Sequence, residues 1–174
     1  MRRLLLAAAL ALAATPAAGA DLATLSCPAD SVTEAQRAAI AEAMRNRQPD
    51  HPGVRPLDEA LAACAQRLGW SAETADIAKR YHGAMFNIAI MRRRLVAAGV
   101  ALGALERLLL ADEALIGAVH TDRQQAEMNR FVEANTPFLL RLLEGRAGDT
   151  QTMIGQFSGY VAAAEKLRRE FIAG

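Results

Sequence analysis

Apolar residues recur at three- and four-residue intervals along nearly the whole chain, and no stretch shows the alternation of a half-buried strand. Leu57, Leu61, Cys64 and Leu68 line one side of a helix that Pro56 suits as a first turn and Gly69 closes. Beyond Ser71, the residues Ile77, Tyr81, Ala84, Ile88, Met91 and Leu95 form an unbroken stripe, with Phe86 and Ile90 on the other side. A helix apolar on two faces belongs inside a bundle, and this one ends near Ala98-Gly99. Trp70, just ahead of Ser71, stands where a hydrophobic staple would sit.

Leu102, Leu105, Leu109, Ile116 and Val119 outline a fourth helix, and the capping box Thr121-Asp122-Arg123-Gln124 opens a fifth. In that fifth helix Met128, Phe131, Val132, Leu139 and Leu142 keep one phase through Pro137. A single kinked helix fits, and so does a fresh start at Asn135-Thr136-Pro137. Gly145 to Asp149 reads as a loop, and Met153, Phe157, Tyr160, Ala164, Leu167 and Phe171 face one way on the last helix. Near the start, residues 21–30 lack periodicity and predict an extended arm. Overlapping capping boxes at Ser31–Glu34 and Thr33–Gln36 then begin a helix with Ile40, Ala43, Met44 and Arg47 on one side, which Pro49 stops before a loop from Gln48 to Pro56. The pattern predicts an all-α, single-domain bundle of five to seven helices over residues 31–174.

Residues 1–20 have a different character. Met1-Arg2-Arg3 is a basic start, Leu4 to Ala14 an apolar run of eleven residues, and Ala18-Gly19-Ala20 a small-residue cleavage pattern. This is the layout of a secretory signal peptide, cut near Ala20, with an uncleaved anchor as the alternative. The run is shorter than the roughly 20 residues of a membrane-spanning helix. Val100 to Val119, the most apolar later stretch, carries Glu106, Arg107, Asp112 and Glu113, so no membrane span is expected. The expected location is the periplasm or the exterior. Of 20 Lys+Arg and 19 Asp+Glu, cleavage removes only Arg2 and Arg3, which takes the net charge from +1 to −1. That balance excludes a non-specific nucleic-acid binder, and five Phe, two Tyr and one Trp show no interleaving with basic residues.

Export changes the meaning of the two cysteines. In an oxidising compartment Cys27 and Cys64 predict one disulfide. Closing a loop of about 38 residues contributes roughly 4 kcal/mol on the chain-entropy model and would pin the N-terminal arm to a helix. Two alternatives stand beside it: two free buried thiols, or an acylation site at Thr24-Leu25-Ser26-Cys27, for which the apolar run ends too far upstream.

Candidate chemistry is sparse. Asp112 falls within the apolar stripe of the fourth helix, so its carboxylate needs a partner, a raised pKa or an exit from the core. It is the one candidate catalytic or ligand-binding acid, with Arg92 as counter-charge; the simpler reading has the helix break near Ala111 and Asp112 cap a new segment from Glu113. Arg92, Arg93 and Arg94 spread over about 200° of a helix and cannot all meet one partner. Trp70 is the least committed aromatic residue and a further candidate ligand contact.

The histidines stand apart in sequence: His51 in the proline-rich loop, His82 on the side of Lys79 and Arg93 and expected to be exposed, His120 at a helix end. No metal-ligand spacing links them, and no cofactor is implied, although Met85, Met91, Met128 or Met153 has the reach of an axial haem ligand. Gly155, Gly159 and Ala162 or Ala163 form a small-residue side on the last helix, expected to serve close packing within the bundle.

The segments Val32-Thr33-Glu34-Ala35-Gln36 and Thr121-Asp122-Arg123-Gln124 resemble the paired LTxxQ motifs of small periplasmic helical stress chaperones. The resemblance covers nine residues, both first-position leucines are absent, and Thr-x-x-Gln is also a capping box. The chain carries no nucleophile elbow, phosphate-binding glycine loop, haem-attachment motif or EF-hand loop. The expectation is a non-enzymatic exported protein that binds another protein or an apolar ligand in a groove between helices. The alternatives are a small cell-envelope hydrolase using Asp112 and a bundle that binds metal or haem.

Overall fold

The computed structural model describes residues 20–46, 51–146 and 148–174. The expected leader, apart from Ala20, lies outside the described residues, as do Arg47, Pro49 and the rest of 47–50. Among the described residues the chain is all-helical, with nine α-helices and two short 3-10 turns. The helices are α1 (Cys27–Ser31), α2 (Glu34–Arg45), α3 (Arg55–Leu68), α4 (Ala72–Ala97), α5 (Leu102–Ala111), α6 (Glu113–Ala118), α7 (Gln124–Ala134), α8 (Thr136–Leu143) and α9 (Gly148–Ala173).

The two long helices, α4 and α9, have 26 residues each, about 39 Å of helix, and share the largest interface. They run antiparallel. Trp70, ahead of α4, meets Phe171, near the end of α9, edge to face with ring centroids 5.2 Å apart. At the other end, Arg146 donates from Nη1 to the Ala98 carbonyl (2.6 Å) and from Nη2 to that of Gly99 (3.0 Å). Two apolar clusters form along this pair. One gathers Leu95, Leu105, Leu109, Leu115, Phe131 and Phe157; the other gathers Leu25, Ile40, Leu61, Ile77, Leu167 and Phe171. Tyr81 packs against both. The stripe read along α4 therefore supplies both clusters, and buried Ile90 supplies its second apolar face.

Several boundaries differ from the sequence reading, each for a local reason. The expected extended arm is helical: a 3-10 turn spans Leu22–Ser26, capped by the Asp21 carboxylate accepting from Ala23 N–H, and α1 follows with Pro28 in its first turn. Five-residue helices are too short to display a hydrophobic period. Of the overlapping capping boxes only Thr33–Gln36 forms, because the Ser31 hydroxyl instead donates to the Cys27 carbonyl at 2.8 Å. The expected loop before Pro56 contains a 3-10 turn at Pro52–Val54, capped by His51 Nδ1 accepting from Gly53 N–H.

The helix count exceeds the expected five to seven because α1 forms and two expected helices break. Asp112 separates α5 from α6, and Asn135 separates α7 from α8, whose first turn holds Pro137. The Thr121–Gln124 box does not form either. Helix α7 begins at Gln124, whose side chain accepts from His120 N–H at 2.8 Å.

The Cys27 and Cys64 sulfurs lie within bonding distance, with Cα atoms 6.2 Å apart, so α1 is fastened to α3. His82 is a correction. It is 4% exposed, because the Leu22–Ser26 turn covers the side of α4 that its charged neighbours had marked as surface. Its Nε2–H donates to the Leu25 carbonyl at 2.8 Å, which fixes the neutral tautomer. Burial holds its pKa below the ordinary imidazole value, against the opposing pull of that hydrogen bond and of Asp30. A base whose folded pKa is depressed stabilises the fold fully above its unfolded pKa, about 6.5, and loses that contribution as pH falls toward the lower folded value. Thermal melts at about pH 7.5 and 5.5 should therefore show a larger loss of Tm for the wild type than for His82→Gln; equal losses would contradict this role.

Candidate functional site

An open groove of about 810 Å³ lies between α4 and α9, bordered by the tip of α2 and by the turn joining α6 to α7. Helix α4 contributes Asn87, Ile90, Met91 and Arg94, and α9 contributes Gln156, Gly159, Tyr160 and Ala163. Each set follows i, i+3, i+4, i+7 spacing, so each is one continuous helical face. Met44 and Arg45 come from α2, and Val119, His120 and Gln124 from the turn. The floor is mainly aliphatic and thioether, the rim amide and cationic.

Among the described residues no carboxylate lines the groove, although Arg45, Arg94 and His120 do. Arg45 is paired with Glu42 on its own helix. Arg94 makes no ion pair among the described residues.

The rim turn is built with some strain. His120 has φ +62°, the only non-glycine residue at positive φ among those described. Such a residue costs of order 1 kcal/mol and persists only where its surroundings hold it. Here Thr121 Oγ1 donates to the Ala118 carbonyl (2.6 Å), Thr121 N–H to the same carbonyl (3.0 Å), and His120 N–H to Gln124. Helix α6 is in turn held to α9 by Arg169, which pairs with Glu113 of α6 and, through Nε at 2.8 Å, with Glu165 of α9. The Arg168 guanidinium, hydrogen-bonded to Glu165, keeps that carboxyl below the usual range.

Gly159 leaves the groove wall bare. A Cβ built there, or on Gly155, meets no atom within 4 Å. The expected close packing along the small-residue side is therefore corrected at both glycines: neither is small because a neighbour presses on it.

The residues singled out from the sequence do not converge. Asp112 is the N-cap of α6: its Oδ1 accepts from Leu115 N–H (2.9 Å) and from Arg130 Nη2 (2.5 Å). The counter-charge expected from Arg92 comes from Arg130 of α7 instead, because Arg92 reaches across to Glu106 of α5 at 2.6 Å. Neither Asp112 nor Arg92 lines the groove, and Trp70, half-buried against Phe171, lies beyond its lining as well. Of the arginine run only Arg94 faces the groove, consistent with the wide angular spread of three successive helical residues. His51 is exposed and caps its own turn. Among the described residues no three His, Cys, Asp or Glu side chains are grouped so as to hold a metal ion, and no helix is long and apolar enough to cross a membrane.

Sequence reading missed Met44, Asn87, Arg94, Gln156 and Tyr160 as a group, since three separate elements bring them together. The available signal was the repeated spacing on the second faces of two long helices, one of them interrupted by a glycine. Compared with models of protein families, with curated proteins and with solved structures, the chain shows no match.

The capping role of Asp112 has a direct check. Asp112→Ala should lower stability in urea by about 1 kcal/mol through loss of the cap, whereas Asp112→Asn, itself a good cap, should lose much less. Equal losses would mean that the charge, and not the cap, is what matters.

Proposed function

We propose that this is an exported, non-enzymatic binding protein that receives an apolar ligand, or an apolar segment of a partner protein, in the groove between α4 and α9. The observation that carries this reading is the groove itself. It is about 810 Å³ in volume, floored by Ile90, Met91 and Met44 and, among the described residues, lined by no carboxylate. That volume lies within the range of small-molecule sites, and thioether side chains adapt to apolar guests of varied shape. A hydrolase of the kind considered from the sequence needs a pair of acids at a cleft, and the described residues of this groove offer none. Asp112 is engaged as a cap and ion pair. Export is supported by the basic start, apolar run and small-residue pattern of residues 1–20, and by a cysteine pair at bonding distance.

Gly159→Leu tests the groove without threatening the fold, because leucine replaces glycine in a helix interior, a gain of about 1 kcal/mol in propensity. The uncharged dye Nile red should gain fluorescence with the wild type and not with Gly159→Leu, while the circular dichroism of the two proteins matches. No gain with the wild type, or equal gain with both, overturns the reading. Protein recovered from the cell envelope should lack residues 1–20 by mass and show no free thiol when denatured. A retained leader or two free thiols contradicts export through this route.

A further inference from the structure

We infer that the occupant of the groove is an anionic single-chain amphiphile: a carboxylate on a flexible hydrocarbon body, as in a long-chain fatty acid. The inference rests on the binding reading above and adds the chemistry of the guest.

Charge complementarity gives the sign. Among the described residues the lining contains two guanidiniums and an imidazole and no acid. Arg45 is already neutralised by Glu42, whereas Arg94 carries its charge at the groove with no ion pair among the described residues. By contrast Arg92, two positions earlier on α4, is satisfied by Glu106. A guanidinium with no ion pair among the described residues, at the edge of an apolar trough, offers a planar fork that fits a carboxylate through two parallel hydrogen bonds. Asn87, Gln124 and Gln156 add neutral polar groups at the same lining.

The body of the guest follows from the floor. Met44, Ile90, Met91, Val119 and Ala163 are aliphatic or thioether, and Tyr160 is the one phenol ring among the described lining residues. A flat aromatic guest would find little to stack on, while a methylene chain can follow two methionines that change shape with it. The open wall at Gly159 extends this trough, since nothing stands within 4 Å of the place where a side chain would begin. The trough also opens between the two long helices, so a chain lying along them keeps its head at Arg94.

Calorimetric titration of the purified protein with dodecanoate, dodecanol and dodecyltrimethylammonium, each below its micelle concentration, separates the terms. Dodecanoate should bind roughly tenfold or more tighter than dodecanol, the increment expected of hydrogen bonds to a charged group, and the cation should bind more weakly than either. Arg94→Gln should bring dodecanoate down to the level of dodecanol and leave dodecanol unchanged, and Gly159→Leu should abolish both. If the three amphiphiles bind alike to the wild type, or Arg94→Gln leaves the preference for the anion intact, the inference is overturned while the groove remains a binding site. If none of the three binds, the inference and the binding reading fall together.

Discussion

The antiparallel packing of α4 on α9 sets where every other helix can lie, because these two helices alone contribute to both apolar clusters. The buried side chains along the pair include Leu95, Phe157, Leu167 and Phe171, all at 2% exposure or less. Full burial of such a side chain contributes roughly 1.5–3 kcal/mol. The ends of the pair are clamped by different means. At one end Trp70 stacks edge-on against Phe171; at the other Arg146 satisfies the carbonyls of Ala98 and Gly99 where α4 terminates. Those carbonyls would otherwise be unpaired helix-end acceptors, so the same residue closes the pair and caps a helix.

The groove follows from how the pair is covered. On one side α5 lies against α9 and supplies Leu105 and Leu109 to the core. On the groove side the described elements beside the pair are the tip of α2 and the α6–α7 turn. The break at Asp112 makes this possible. A continuous helix would carry residues 113–118 straight past the bundle, whereas a capped new start, together with the Arg169 bridge, lays α6 against α9 and brings His120 to the rim. Val119, at ψ 133°, ends α6, and the left-handed conformation of His120 then lets the chain turn into α7. Cap, bridge and turn form one local sequence of causes that ends at the rim of the groove.

The helical class, the two-faced character of α4 and the pairing of the cysteines were legible in the sequence, because each leaves a periodic or countable trace. Gly69 ends α3 at φ +68°, as its position implied. The N-terminal segment was not legible, since two five-residue helical pieces carry no period and take their shape from Asp21, Pro28 and contacts with α3. That omission propagated to His82: with no cover expected over that face, a histidine beside Lys79 read as surface. The counter-charge of Asp112 was misassigned for a related reason. Sequence spacing can show which face of a helix Arg92 occupies, but the approach of α5 and α7 decides which acid each arginine reaches. The groove lay furthest from view, because Met44, Arg94, His120 and Tyr160 are neighbours only through tertiary packing, and an i, i+3, i+4, i+7 face of mixed polarity looks like an ordinary solvated surface.

The central claim is that the trough between α4 and α9 is where the protein meets its guest. Methyl-resolved NMR during titration with dodecanoate tests it directly, since Met44, Ile90 and Met91 report from the floor and Leu105 and Leu109 from the sealed core. The account predicts saturable shifts at the three floor residues and none at the two core leucines. Shifts confined instead to the exposed side chains of Val96, Val132 and Leu140 would contradict it, by placing the apolar contact on the outer surface of the bundle.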